Sequence, residues 1–172
     1  MEFEKFTERS RGFIQSAQSL AIRETHQQFT PLHLLKVLLD DKEGLAASLI
    51  DEAGGNAQRA LRLTEGELKR LPKVESDTVQ IYLASETAKL FDQSEQIAEK
   101  AGDSFVTVEM LLLAMAMAEG TDACKVLKEA GLTPQDLNTA IKDFRMGRSA
   151  LCVQSWTWNS SRNAGRSRFS AH

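Results

Sequence analysis

Cysteine is nearly absent: only Cys124 and Cys152 occur in 172 residues. So few thiols exclude a disulfide framework and fit a reducing compartment, so a cytosolic location is expected. There are only three prolines and ten glycines, leaving room for uninterrupted helices. No apolar run approaches the ~18 residues of a membrane span. The start, Met1 to Lys5, is acidic and mixed, unlike a secretory signal. No glycine is followed by lysine, which removes a P-loop, and no G-x-S-x-G nucleophile elbow is present. Zinc spacing, an HExxH helix and the carboxylate-x-x-His pairs of di-iron bundles are all missing. No cofactor and no metal are therefore expected.

Charge is also unevenly supplied. Residues 1–145 hold 17 basic and 24 acidic groups, a net −7, whereas 146–172 hold four arginines and no acid. An acidic body lacks the clustered cations that neutralise phosphates, so nucleic acid is not an expected partner. His26 and His33 are seven apart, two turns on one helix, but Pro31 interrupts that helix and no histidine ladder is expected. Cys124, among Ala123, Val126 and Leu127, reads as a small buried residue rather than a nucleophile. The acid pairs Asp40-Asp41 and Asp51-Glu52 read as solvated charge at helix ends.

What the chain does have is a gap-free internal duplication at an offset of 77. Thr30-Pro31-Leu32-His33-Leu34-Leu35 returns as Thr107-Val108-Glu109-Met110-Leu111-Leu112, and Glu52-Ala53-Gly54 as Glu129-Ala130-Gly131. Phe6, Phe13, Ala17, Leu20 and Ala21 form one helical face, matched by Leu83, Leu90, Ser94, Ile97 and Ala98. Thr30-Pro31 and Thr107 are expected to cap a second and a sixth helix, each hydroxyl contributing ~1 kcal/mol. Third and seventh helices stop at Gly54 and Gly131, where a left-handed residue closes the helix. Asn56 and Thr133-Pro134 open the fourth and eighth.

The expected fold is all-α: two tandem, pseudo-twofold-related four-helix repeats, eight helices in total. Repeat one covers about 1–71, a linker 72–78, and repeat two about 79–145. Residues 146–172 carry both tryptophans and many serines without helical periodicity, and a disordered tail is expected there. Glu109 and Asp103 suit first-turn and turn roles. Met115 matches Leu38 and is expected in the core. Met110 matches the polar His33, which makes it a candidate for a partly exposed apolar contact.

These residues resemble the Clp N-terminal repeat domain found at the front of the Hsp100/Clp AAA+ chaperones. The family's Thr-x-Glu-His-Leu-Leu-like motif occurs in both copies. Leu68-Lys69-Arg70-Leu71-Pro72-Lys73-Val74-Glu75 is similar to the linker of the disaggregase branch, and Gly102-Asp103-Ser104-Phe105 to its Gly-Asp-x-Phe turn. The resemblance covers about 1–145. It implies an accessory, non-enzymatic and monomeric module that engages unfolded or aggregated polypeptide for an ATPase ring, none of whose modules is in this chain. In the protease-linked branch the equivalent domain docks an adaptor protein instead. The resemblance also implies candidate substrate-binding positions: Thr7, Asp103 and Glu109 as polar residues, Ile97 and Met110 as apolar residues lining a groove. Gln93 stands where a leucine-like groove residue is usual. An apolar groove near the fifth and sixth helices with carboxylates at its rim is thus expected, favouring basic-plus-apolar segments.

Overall fold

The computed structural model describes residues 3–147 except 76 and 79. Apart from 146 and 147, the residues expected to form a disordered tail lie outside that range. Eight α-helices run through the described residues: α1 (Glu8–Arg23), α2 (Pro31–Leu39), α3 (Leu45–Glu52), α4 (Ala57–Arg70), α5 (Ser85–Lys100), α6 (Val108–Met117), α7 (Asp122–Glu129) and α8 (134–147). Residues 146 and 147 continue α8 rather than leaving it. A single 3-10 turn, Phe3–Lys5, precedes α1. Two short strands, β1 (Gln28–Phe29) and β2 (Tyr82–Leu83), add a parallel pair that the periodicity did not announce.

Local chemistry explains the boundaries. Thr7, Asn56, Thr121 and Thr133 each accept, on a side-chain oxygen, a backbone N–H three residues on, the usual way to satisfy an orphan helix donor. Asp51, an exposed residue near the end of α3, accepts the Ala57 N–H at 3.0 Å. Gly54 and Gly131 terminate α3 and α7 with φ of +88° and +87°, where a Cβ would be strained.

The cap of α2 departs from expectation. His33 folds its ring back so that Nδ1 accepts the Thr30 N–H at 3.0 Å and lies 2.9 Å from Thr30 Oγ1. A backbone N–H can only donate, so Nδ1 is bare and Nε2 carries the proton. That N–H points at His26 Nδ1, 2.9 Å away. The histidines therefore do meet, both buried. Pro31 does start a new helix, but Thr25, at φ +56°, turns the chain back after α1 and delivers His26. In α6 the equivalent ring is replaced by Met110. Thr107 Oγ1 is left buried without a hydrogen-bond partner, so α2 is capped through the His33 ring and α6 has no equivalent.

The two halves are stitched by a crossed exchange. Phe6 bridges Val106 in parallel, and Phe29 pairs with Leu83 in parallel. Adding 77 to Phe6 gives Leu83, and to Phe29 gives Val106, so these are one contact made twice. The detail repeats as well. Val106 O accepts the Thr7 N–H (3.0 Å) and the Ser10 hydroxyl (3.0 Å). Phe29 O accepts the Ala84 N–H (3.2 Å) and the Thr87 hydroxyl (2.7 Å). The segment leading into each half thus completes the loop of the other.

The core lies at this seam. Leu34, Leu35, Leu111 and Leu112 are fully buried, at ~1.5–3 kcal/mol each. Phe91 meets Phe6 edge-on, ring centroids 5.6 Å apart, and Phe29 at 6.4 Å. On α1 the core residue is Ile14, twin of Phe91, rather than Phe13. Phe13 is half-buried beneath the Arg9 guanidinium, 5.7 Å from the ring centroid. Leu83 precedes α5 and is exposed, which corrects its place on the expected face.

Candidate functional site

A cleft of about 430 Å³ opens along the second repeat between α5, α6 and α8. Its apolar surface includes Ile97 of α5 and Leu113 and Met117 of α6, with Pro134 at the start of α8. The cause is compositional. Beyond Glu109 in its first turn, helix α6 is apolar around its circumference, so the side turned from the core must meet another helix or an opening. Met117 is 42% exposed at the end of that helix, a flexible thioether able to follow varied surfaces. Two exposed cations, Lys100 of α5 and Lys142 of α8, also line the cleft.

Of the five positions named from sequence, Ile97 lines this cleft, half-buried as a groove residue should be. Met110 does not. At 2% exposure it belongs to the core, and Leu113 and Met117, one and two turns further along, are what α6 contributes. Gln93 is half-buried on α5 and is not a cleft residue. Thr7 spends its hydroxyl on Ser10, donating to Oγ at 2.9 Å and accepting its N–H at 3.1 Å. Its own N–H goes to Val106 O, three residues from both Asp103 and Glu109. Met115 is fully buried, as expected.

Asp103 and Glu109 are brought together by a residue not singled out from sequence, Arg145 of α8. Its Nη1 is 2.6 Å from Asp103 Oδ2, and its Nε is 3.3 Å from Glu109 Oε1. Glu109 is only 3% exposed, so a cation is what makes its burial tolerable. Burial lowers the Arg145 pKa, but the hydrogen bond and charge of Asp103, followed by Glu109, outweigh it and hold the guanidinium above its ordinary value. No periodicity marks Arg145, because its partners are 36 and 42 residues away.

The expected carboxylate rim is therefore corrected. Both acids are engaged by Arg145, and the charges on the cleft itself are the two lysines. The cluster borders the groove: Glu109 is one turn from Leu113, Arg145 one turn from Lys142, and Asp103 follows Lys100 by three residues.

Cys124 is buried, its thiol directed at Ala116 O at 3.3 Å, and burial pushes its pKa up. Among the described residues, no group of three or more His, Cys, Asp or Glu is placed to hold a metal ion. No described helix is long and apolar enough to cross a membrane.

Comparison with known proteins agrees with this architecture. The family described as Clp repeat (R) N-terminal domain matches residues 5–130. The chain is 60% identical over 151 residues to the chaperone protein ClpB of Rhodopseudomonas palustris, covering 87% of this chain but 17% of that protein. Among solved structures, the Hsp104 N-terminal domain from Candida albicans superposes with a TM-score of 0.72 at 22% identity, covering 82% of this chain and 91% of that one. A ClpV N-domain solved in complex with a VipB peptide gives 0.61 at 19% identity, covering 78% and 83%. The doubled four-helix repeat, the linker and turn motifs and the family match converge: this chain belongs to the Clp repeat N-terminal domain family.

Proposed function

We propose that residues 3–147 act as one accessory domain of a ClpB-type chaperone, engaging exposed apolar segments of unfolded or aggregated polypeptide in the cytosol. The observation that carries this reading is the open apolar cleft between α5, α6 and α8. The strong similarity to ClpB proteins supports the chaperone context, and the peptide-bound ClpV domain supports polypeptide as the ligand class for this fold. The chain spans 17% of the length of its ClpB relative, so ATP-driven work belongs, in this reading, to a ring outside these residues. The domain contributes capture and orientation rather than turnover.

A few apolar anchors give little surplus over the cost of association, so affinity should fall between about micromolar and millimolar. Titration against reduced, carboxymethylated lactalbumin, which stays unfolded, tests this by fluorescence anisotropy. Ile97→Asp and Met117→Asp should each weaken binding at least about fivefold, roughly the loss of one desolvated apolar contact. Far-UV circular dichroism should stay unchanged. Binding equal to the parent would remove the cleft assignment. A saturable one-to-one complex with a folded adaptor, with no affinity for unfolded chains, would replace the reading.

A further inference from the structure

The charge placed around the cleft opposes the charge of the body. Residues 1–145 carry a net −7, and long-range attraction from such a body favours cationic segments. The cleft itself presents Lys100 on α5 and Lys142 on α8, both exposed and without an ion-pair partner among the described residues. Two acids bordering the groove, Asp103 and Glu109, are held by Arg145 instead. Of the residues that line the cleft, Lys100 and Lys142 carry the formal charges and no acid is among them.

We infer that the cleft selects extended apolar segments flanked by aspartate or glutamate, whose carboxylates meet Lys100 and Lys142 while apolar side chains meet Ile97, Leu113 and Met117. This rests on the polypeptide-binding reading above and specifies its ligand. It also reverses the preference expected from a carboxylate rim. The apolar surface supplies the sequence-tolerant part of the affinity. The lysines supply discrimination, because opposite charges across an interface favour one partner and like charges penalise the other. Both lysines are solvated, so the effect is modest and salt-sensitive.

The test uses the full chain and three labelled peptides sharing one apolar core, flanked by Glu pairs, Lys pairs or Gln pairs. Anisotropy titrations at low salt should rank Glu above Gln above Lys, with about a three- to tenfold span between the extremes, the scale of one or two exposed ion pairs. The span should collapse at about 0.5 M salt. The double variant Lys100→Glu/Lys142→Glu should invert the ranking, and Lys125→Glu, on α7 and outside the cleft lining, should leave it intact. Equal affinities, a preference for Lys flanks, or an equal effect of Lys125→Glu would overturn the inference while leaving polypeptide binding standing. Failure of all three peptides to bind would overturn both.

Discussion

Truncating Arg145 isolates a charge cluster that joins three separate segments. In Arg145→Ala, Glu109 keeps its place with a side chain only 4% exposed and loses the guanidinium 3.3 Å away. Stranding one partner of a fully buried pair costs about 3–5 kcal/mol. Here the guanidinium is 31% and the Asp103 side chain 35% exposed, so water screens part of the interaction. The expected loss is accordingly about 2 kcal/mol, almost all of it from Glu109, with Asp103 adding a few tenths. Urea unfolding followed by circular dichroism reads this as a lower midpoint at unchanged slope. For a chain of this length it corresponds to a fall in Tm of about 4–8 °C. A double-mutant cycle with Glu109→Gln sharpens the test, because Arg145→Ala should cost under about 1 kcal/mol once Glu109 is neutral. A loss below about 0.5 kcal/mol, or strict additivity in the cycle, would refute the idea that Arg145 compensates a buried acid.

Three further outcomes follow from the caps of α2 and α6. Burial, with a contribution from His26, lowers the His33 pKa from 6.5 to about 4, and burial lowers that of His26 as well, Glu24 opposing and Lys73 assisting. The unfolded chain then binds more protons between about pH 4 and 6.5. Stability is full above 6.5 and falls as pH drops, by about 3 kcal/mol from His33 alone at pH 4. His33→Met, which installs the residue of the second repeat, should flatten that part of the urea-midpoint profile. An unchanged slope would contradict the buried neutral ring. Separately, Thr30→Val should cost about 1 kcal/mol, because its hydroxyl lies 2.9 Å from His33 Nδ1. Thr107→Val removes an unpartnered buried hydroxyl, so thermal unfolding should show it neutral or slightly stabilising.

The helices were legible because caps and stops are local. Asn56, Thr133, Gly54 and Gly131 each act within about one turn of their own position, and the 77-residue offset carried the pattern from one half to the other. The site was legible only in part. Ile97 falls on an amphipathic helix whose open face can be read. Met110 was misplaced because α6, beyond Glu109, is apolar on every side, and such a helix does not say which side is open. Its match to a polar twin misled as well, since His33 is polar yet fully buried by its bonds to Thr30 and His26. Arg145 was invisible because ion pairing across 36 and 42 residues leaves no local trace.

The crossed exchange has a consequence for modularity. A chain holding one repeat would present an unsatisfied leading segment and an unsatisfied receiving loop, mutually complementary but joined in the wrong order to close on themselves. Two such chains would satisfy each other. The unit of folding is therefore the pair, and the tandem chain behaves as a tethered dimer whose halves are interlocked rather than adjacent. Tension on the N-terminal segment at Thr7 would reach the loop at Val106 before it reached most of its own half.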